Sequence, residues 1–469
     1  MSAAPERATP ERERVHLPIV EQRSSLRSDG RRVAIVPADV HGRFTLARRL
    51  LFGALLAIGI ALPLIRIEGR PAVFFDVPER RFFVFGEAFN AQDGWLGFFV
   101  LSGLGFGLLV LTTVLGRAWC GWACPQTVLL EGLFRPIERA LEGPRNTRLR
   151  RDAGPRTLER TARKLAKHVV FAIVALLVAH LVLAYFVSMP SLGTMILEGP
   201  AAHPVAFAWS SIVGIALYVH AAWFREQLCL IVCPYGRLQS VLTDDDSLVV
   251  GYDERRGEPR GRGKEREGLG DCVDCDRCVV VCPTGIDIRN GLQIDCIACT
   301  QCIDACDEVM DKLHRPRGLI RYDSLRGLRG EARRIFRPRL AMYAVLGVVG
   351  VVALGIAVSR HQPLEATILR MRGAPFVVDG DVVRNTFEIH IVNKRDAAVV
   401  VALEPIGASG DAEIDVARRL ELPPLGSART MLVVRMPRDR RAAASSVRVR
   451  VTSEDASIDV EAPLLGPMR

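Results

Sequence analysis

The chain has 469 residues, of which 49% are hydrophobic and 24% charged, and a formal net charge of +10. That length allows several domains, and a positive mean hydropathy beside so many charges excludes a purely soluble protein in favour of a membrane protein with large soluble parts. The basic residues crowd beside apolar spans, so the loop bias of membrane proteins accounts for them and no nucleic-acid partner is expected. All twelve cysteines fall in two C-x3-C-P pairs and two C-x2-C-x2-C-x3-C runs. This is metal-ligand usage in a reducing compartment, not a disulfide framework.

In chain order, residues 1–43 are polar and Arg-rich. They are expected to form a cytoplasmic arm with order only around the apolar stretch VAIVPADV. No cleavable signal peptide is expected, since the first apolar span begins near Leu46. Five spans follow, each near the ~20 residues that a bilayer requires: Leu46–Ile65, Leu96–Leu115, His168–Val187, Val205–Phe224 and Leu340–Val358. The segment between the second and third is rich in Lys and Arg, among them Arg135, Arg139, Arg148, Arg160 and Lys167, whereas residues 188–204 have neither. The positive-inside rule then predicts cytoplasmic clusters and a periplasmic C-terminus in a bacterial inner membrane. The organisation expected is an arm (1–43), a membrane domain (44–248), a cytoplasmic dicluster ferredoxin-like α+β domain (249–338), a fifth transmembrane helix (339–359) and a periplasmic domain (360–469).

The loop Arg66–Gly94 carries Phe74, Phe75, Phe82, Phe83 and Phe85. Aromatic rings favour the membrane interface, and packing under the C-terminal domain is the other expectation. Cys120 and Cys124 follow the second span; Cys229 and Cys233 follow the fourth. On a helix, positions i and i+4 share a face, so each pair is expected to aim two sulfurs at one point. Two thiolates suit Cu(I), and four from neighbouring helices suit a larger centre; a redox-active dithiol and plain burial also stay open. His168, His180 and His220 lie in the third and fourth spans, where ligation competes with a neutral interhelical hydrogen bond. The run YDERRGEPRGRGKEREGLG before the clusters reads as a flexible connector that could touch lipid headgroups.

Eight cysteines crowd between Cys272 and Cys306. Four thiolates at this spacing, twice over, are what two [4Fe–4S] clusters require, and in two-cluster ferredoxins the fourth cysteine of each run ligates the other cluster. Cys272, Cys275, Cys278 and Cys306 are therefore assigned to one centre. Cys296, Cys299, Cys302 and Cys282 are assigned to the second. Zinc, the competing reading, has no use for the x3-C-P tail. Past the fifth span, short β-branched stretches such as TFEIHIV, TMLVVRM and SSVRVRVTS, parted by turn signals, predict an all-β sandwich of immunoglobulin-like type.

These segments together, with FFDVPERRFFVFG, GRAWCGWACPQT, WFREQLCLIVCPYGRLQS and the dicluster run, resemble the FixG/RdxA/CcoG family, accessory proteins of cbb3-type cytochrome c oxidase. The resemblance runs from about residue 40 into the β domain. It implies a role in maturing that oxidase and reduction of Cu(II) to Cu(I), with copper handled at Cys120, Cys124, Cys229 and Cys233. It also implies a cytoplasmic electron donor, a copper chaperone or transporter, and oxidase assembly factors as partners, besides membrane lipid. Self-association is left open.

Overall fold

The computed structural model describes residues 35–466 except 68, 263–266, 360–361, 396, 408–411, 439–445 and 455. The arm expected over 1–43 falls outside it up to residue 34. Among the described residues, five helices are long and apolar enough to cross a membrane: Arg43–Ala61, Asp93–Leu115, Leu158–Val187, Pro204–Phe224 and Pro338–Ser359. The first stops four residues short of the expected Ile65, because Pro63 cannot continue a helix. The third begins ten residues before the expected His168. Thr157 caps it by accepting the Arg160 backbone N–H, and its first turns are polar.

The chain divides into two compact units, residues 1–65 with 102–349 and residues 66–101 with 350–469. In the first, strand Leu248–Tyr252 pairs antiparallel with Ile320–Ser324. These strands and the helix Gln301–Lys312 enclose a core of Val250, Ile286, Ile288, Ile303, Met310 and Ile320. The cysteine runs sit on this small α+β module, and the module is bolted to the first spanning helix. Asp304 accepts hydrogen bonds from Thr45 N and Thr45 Oγ, both 2.7 Å, and from Phe44 N at 3.3 Å. A carboxylate there satisfies free N–H groups at the positive end of the helix dipole. The approach is so close that a Cβ on Gly42 would meet Asp304 Cγ at 2.3 Å. Residues 35–40 also lie on the module: Val40 is buried with Val281 and Ala305, and Ala38 N donates to Val280 O.

The expected flexible connector is instead folded over most of its described length. Gly270 N donates to Pro259 O, Gly261 N to Cys272 O, and Arg256 pairs with Asp271. Glycines let the chain return close to itself, and the arginine is used internally. Residues 263–266 of this run lie outside the described residues.

The loop between the second and third spans is held by a buried ion cluster. Glu138 meets Arg225 at 2.6 Å and Arg148 at 3.0 Å, and Lys167 meets Glu142 at 2.9 Å. Burial alone would raise the Glu138 carboxyl, but Arg225, Arg148 and Lys167 outweigh it and hold the carboxyl at about 2.

In the second unit, strands β1 (Val73–Asp76), β2 (Arg81–Val84) and β3 (Glu87–Asn90) form an antiparallel meander. Of the two expectations for this aromatic loop, packing under the C-terminal domain describes it: Phe83 and Ala88 are buried with Leu425. Lys394, almost fully buried, bridges Asp93 at 2.8 Å and Glu365 at 2.9 Å. The domain itself has strands β4 (Leu364–Arg370), β5 (Val377–Asp379), β6 (Val382–Asn393), β7 (Val399–Gly407), β8 (Glu413–Val416), β9 (Arg419–Leu422), β10 (Ser427–Pro437), β11 (Ser446–Thr452) and β12 (Ser457–Pro463). One sheet has the order β8-β10-β6-β4 with β5 on β6; the other is β9-β7-β11-β12. Burial alternates residue by residue along β6, which puts Val383, Phe387, Ile389 and Ile391 into the core between the sheets.

A carboxyl held below its unfolded value stabilises the fold above the unfolded pKa, and that stability is lost as pH falls toward the folded one. Acidification from about pH 5 to about pH 3 is therefore expected to lower the thermal midpoint of the detergent-solubilised protein more than that of Glu138→Gln. Equal losses in the two proteins would show that this carboxylate contributes nothing.

Candidate iron–sulfur and thiol site

Each cysteine run folds into the same loop. In the first, Asp274 and Asp276 have φ of 49° and 56°; in the second, Ala298 and Thr300 have 53° and 65°. These are the second and fourth residues after the first cysteine of each run. Non-glycine residues seldom adopt positive φ. Its recurrence at matched positions marks two equivalent cradles in which alternate residues reverse the chain around a centre.

The cavities group the cysteines as the crossed assignment expects. Cys272, Cys275, Cys278 and Cys306 line one space with Tyr252 and Ile320. Cys282, Cys296, Cys299 and Cys302 line a second with Val250 and Ile286, and Cys278 touches it as well. Burial pushes the Cys306 thiol up to about 12, followed by the charges of Cys278, Cys272 and Cys275. For Cys302 too burial is the first cause of a raised pKa, then Cys299, Cys296 and Cys282. Two four-sulfur spaces suit two [4Fe–4S] groups, which thiolates hold. Asp307 stands where the first run has Pro283. It lets the Gln301–Lys312 helix continue and accepts the Gly318 N–H at 2.9 Å.

The C-x3-C-P pairs depart from expectation. Neither lies on a continuous helix. Cys120 sits in the short helix Ala118–Trp122, but Cys124 is extended with ψ 125°. Cys229 sits in a π-helical turn, Leu228–Val232, and Cys233 is extended with ψ 111°. The following proline forces this, because its ring disfavours α geometry in the residue before it. Burial pushes Cys229 up to about 12, and the next causes are Cys120, Cys124 and Cys233, so charge on the other three sulfurs reaches it across the two pairs. The Cys229 thiol donates to Gln126 Oε1 at 2.6 Å and that of Cys120 to Gln239 Oε1 at 3.5 Å.

Cys120 is buried against Ile297 and Cys299. The contact is made by backbone as well as side chains: a Cβ on Gly121 would lie 2.5 Å from Ile297 O. Trp122 Nε1 donates to Tyr322 Oη at 3.0 Å, and Tyr322 Oη donates to Ala298 O at 2.7 Å. Thus the membrane-edge thiols adjoin the second cradle, not the first.

Of the three histidines, His168 makes a hydrogen bond between helices. His168 Nδ1 shares a hydrogen bond with Tyr218 Oη between the third and fourth spanning helices, at 3.0 Å. His180 Nδ1 bonds to Leu176 O within its own helix, and His220 stacks near Phe224.

Sequence reasoning missed Arg48, Arg117, Trp122, Tyr322 and Asp304. Arg48 carried a signal, since an ionised residue inside an apolar span is rare without a purpose. The others were ordinary loop and helix residues until the fold brought them together.

Comparison with known proteins bears on the same features. The profile described as "4Fe-4S dicluster domain" matches residues 224–325, and "IG-like fold at C-terminal of FixG" matches 354–467. The nitrogen fixation protein FixG of Rhizobium meliloti is 37% identical over 414 residues, 77% of this chain and 77% of its own length. The chain belongs to the FixG/RdxA family. Proteins RdxA and RdxB of Cereibacter sphaeroides are each 37% identical, RdxA over 77% of this chain and 80% of its own length, RdxB over 78% and 81%. A third profile, "4Fe-4S binding domain", matches residues 96–144. This FixG-family chain is thus a membrane iron–sulfur protein of electron-transfer type, with an immunoglobulin-like C-terminal domain.

The crossed ligand sets make a spectroscopic prediction. Cys306→Ser is expected to alter the electron paramagnetic resonance signal of the same centre as Cys275→Ser, and Cys282→Ser that of the same centre as Cys299→Ser. A Cys306→Ser signal change that matches Cys299→Ser instead would overturn the crossing.

Proposed function

We propose that this protein reduces Cu(II) to Cu(I) at its membrane-edge thiols and thereby serves maturation of a cbb3-type cytochrome c oxidase. The reading has the dicluster module in the cytoplasm, with the C-terminal domain in the periplasm of a bacterial inner membrane. The observation that supports it is that Cys120 is buried in one cluster with Ile297 and Cys299, beside the second cluster loop.

When bound at the eight ferredoxin cysteines, the clusters supply one-electron storage. Cys272, Cys275, Cys278 and Cys306 hold one; Cys282, Cys296, Cys299 and Cys302 hold the other. Cys120, Cys124, Cys229 and Cys233 take the copper. Thiolate softness favours the Cu(I) product over Cu(II). The balance is one electron per copper, Cu(II) + e⁻ → Cu(I), with a cytoplasmic low-potential one-electron carrier as donor. Burial pushes the Cys120 and Cys229 thiols up, so copper binding there releases protons to solvent. Gln126 and Gln239 accept hydrogen bonds from Cys229 and Cys120.

The test is anaerobic and uses the purified full chain with a chemical reductant. Cu(I) captured by a chromogenic chelator should form in the native protein. The double variant Cys120→Ser, Cys124→Ser should lose that activity while retaining cluster absorbance. Undiminished copper turnover in the variant would sink the proposal.

A second reading has its own support. The "4Fe-4S binding domain" match, residues 96–144, contains only two cysteines, Cys120 and Cys124. With Cys229 and Cys233 they supply four sulfurs, enough for a third cluster. Metal analysis separates the readings: about eight iron atoms per chain for two clusters, about twelve for three. Under the second reading the double serine variant loses about four of them.

A further inference from the structure

The two cradles share a backbone shape, but the carbonyl at one matched position is fastened differently in each. In the first, Asp274 O accepts from Arg262 Nε at 2.7 Å, and that arginine belongs to the connector and is 66% exposed. In the second the matching residue is Ala298, 3% exposed, whose O accepts from Tyr322 Oη at 2.7 Å. Tyr322 Oη in turn accepts from Trp122 Nε1 at 3.0 Å. The polarity of this relay is fixed. An indole N–H only donates and a carbonyl oxygen only accepts, so one orientation of the hydroxyl satisfies both. The rings are also held. Tyr322 stands on the strand Ile320–Ser324, paired with Leu248–Tyr252, and Phe44 meets both rings edge-on, at 6.5 Å from Trp122 and 6.0 Å from Tyr322. Trp122 lies midway between Cys120 and Cys124 in the chain. Ala298 lies between Cys296 and Cys299, and its own N–H donates to Cys296 Sγ at 3.4 Å.

We propose that Tyr322 is a positioning residue that ties the Cys282–Cys296–Cys299–Cys302 centre to the membrane-edge thiol loop, so that the reduction potential of that centre, and not of the first, depends on Trp122. Ala298 has φ 53°, a conformation that a residue with a Cβ keeps only where its neighbours hold it. The Tyr322 hydroxyl fixes the plane of the Ala298–Cys299 peptide. On the other side of the same Cα is the N–H that meets Cys296 Sγ. Hydrogen bonds to the sulfurs are among the levers on cluster potential, since a donor there stabilises the added negative charge of the reduced state. Without the hydroxyl a buried carbonyl loses its partner, the loop relaxes, and the N–H to sulfur bond weakens. The consequence is selective coupling: a displacement of the loop that carries Cys120 and Cys124 reaches the second centre through two hydrogen bonds, whereas the matching carbonyl of the first is held from the connector.

The inference rests on the reading of the eight ferredoxin cysteines as two cluster sites and is independent of copper. Its test is a copper-free redox titration of the full-length protein, followed by electron paramagnetic resonance, with iron content measured in parallel. The second centre is identified as the one whose signal Cys299→Ser alters. Tyr322→Phe keeps the ring and removes only the hydroxyl. It should lower the potential of the second centre, by about a threefold change in its oxidised-to-reduced ratio, or ~30 mV for one electron, and leave the first in place. Trp122→Phe should lower the same potential by less. Added to Tyr322→Phe it should change nothing further, because the acceptor of its bond is already gone. Neither substitution alters a formal charge, so Asp295 beside Cys296 and the other ionised groups act alike in all the variants. If Tyr322→Phe loses iron, Trp122→Phe alone carries the test. An unmoved second potential, equal shifts at both centres, or additive effects in the double variant would overturn the inference. Failure of copper reduction with a second potential that responds to these two residues would overturn only the functional proposal.

Discussion

The structure depends on one close packing contact: the backbone at Gly121 against the loop at Ile297 and Ala298. Any side chain at Gly121 would collide with two carbonyl oxygens, at 2.5 and 2.9 Å. A hydrogen in place of Cβ is what lets a membrane-edge thiol and a cluster loop touch. Arg48 and Asp304 fasten the same joint from either side. Arg48 reaches out of the first spanning helix to Gly121 O, and Asp304 reaches out of the ferredoxin helix to cap that spanning helix. The iron–sulfur module is therefore part of the membrane unit rather than a domain on a tether.

Two backbone departures from regular geometry shape the chemistry. Proline after each second cysteine breaks the helix and turns Cys124 and Cys233 extended. The π-helical turn at Leu228–Val232 rotates the last residues of the fourth segment, a distortion often found where side chains must be aimed. In the cluster loops, paired positive-φ residues do the corresponding work. Both devices break regular helix or strand geometry beside the cysteines.

The C-terminal domain has a different logic. Its apolar residues alternate along strands, and the two buried amides on β6 are satisfied: Asn385 by Arg370 and the backbone of Leu465, and Asn393 by the carbonyls of Ala397 and Pro423. No cysteine lies in it. The aromatic meander β1–β3 is covered by this domain, with the Lys394 bridge to Asp93 and Glu365 sealing the contact. Aromatic density alone could not separate a membrane-interface loop from a packed one, because both bury rings at one edge and expose them at the other.

Much of the architecture was legible in one dimension. Spans, strands and cluster runs are local patterns: twenty apolar residues, period-two alternation, cysteines three apart. Each is enforced by backbone geometry or ligand count within a short window, so residue order determined them. The crossed assignment of Cys282 and Cys306 came from the ligand pattern of two-cluster ferredoxins. What only tertiary structure decided was which pieces meet. The joining of Cys120 to the second cradle, the bond from Arg48 to Gly121 and the Asp304 cap on the first spanning helix all come from contacts between residues about 70 to 260 positions apart. Such contacts are set by packing volume and hydrogen-bond closure in three dimensions, and neither has a signature in the local order of residues.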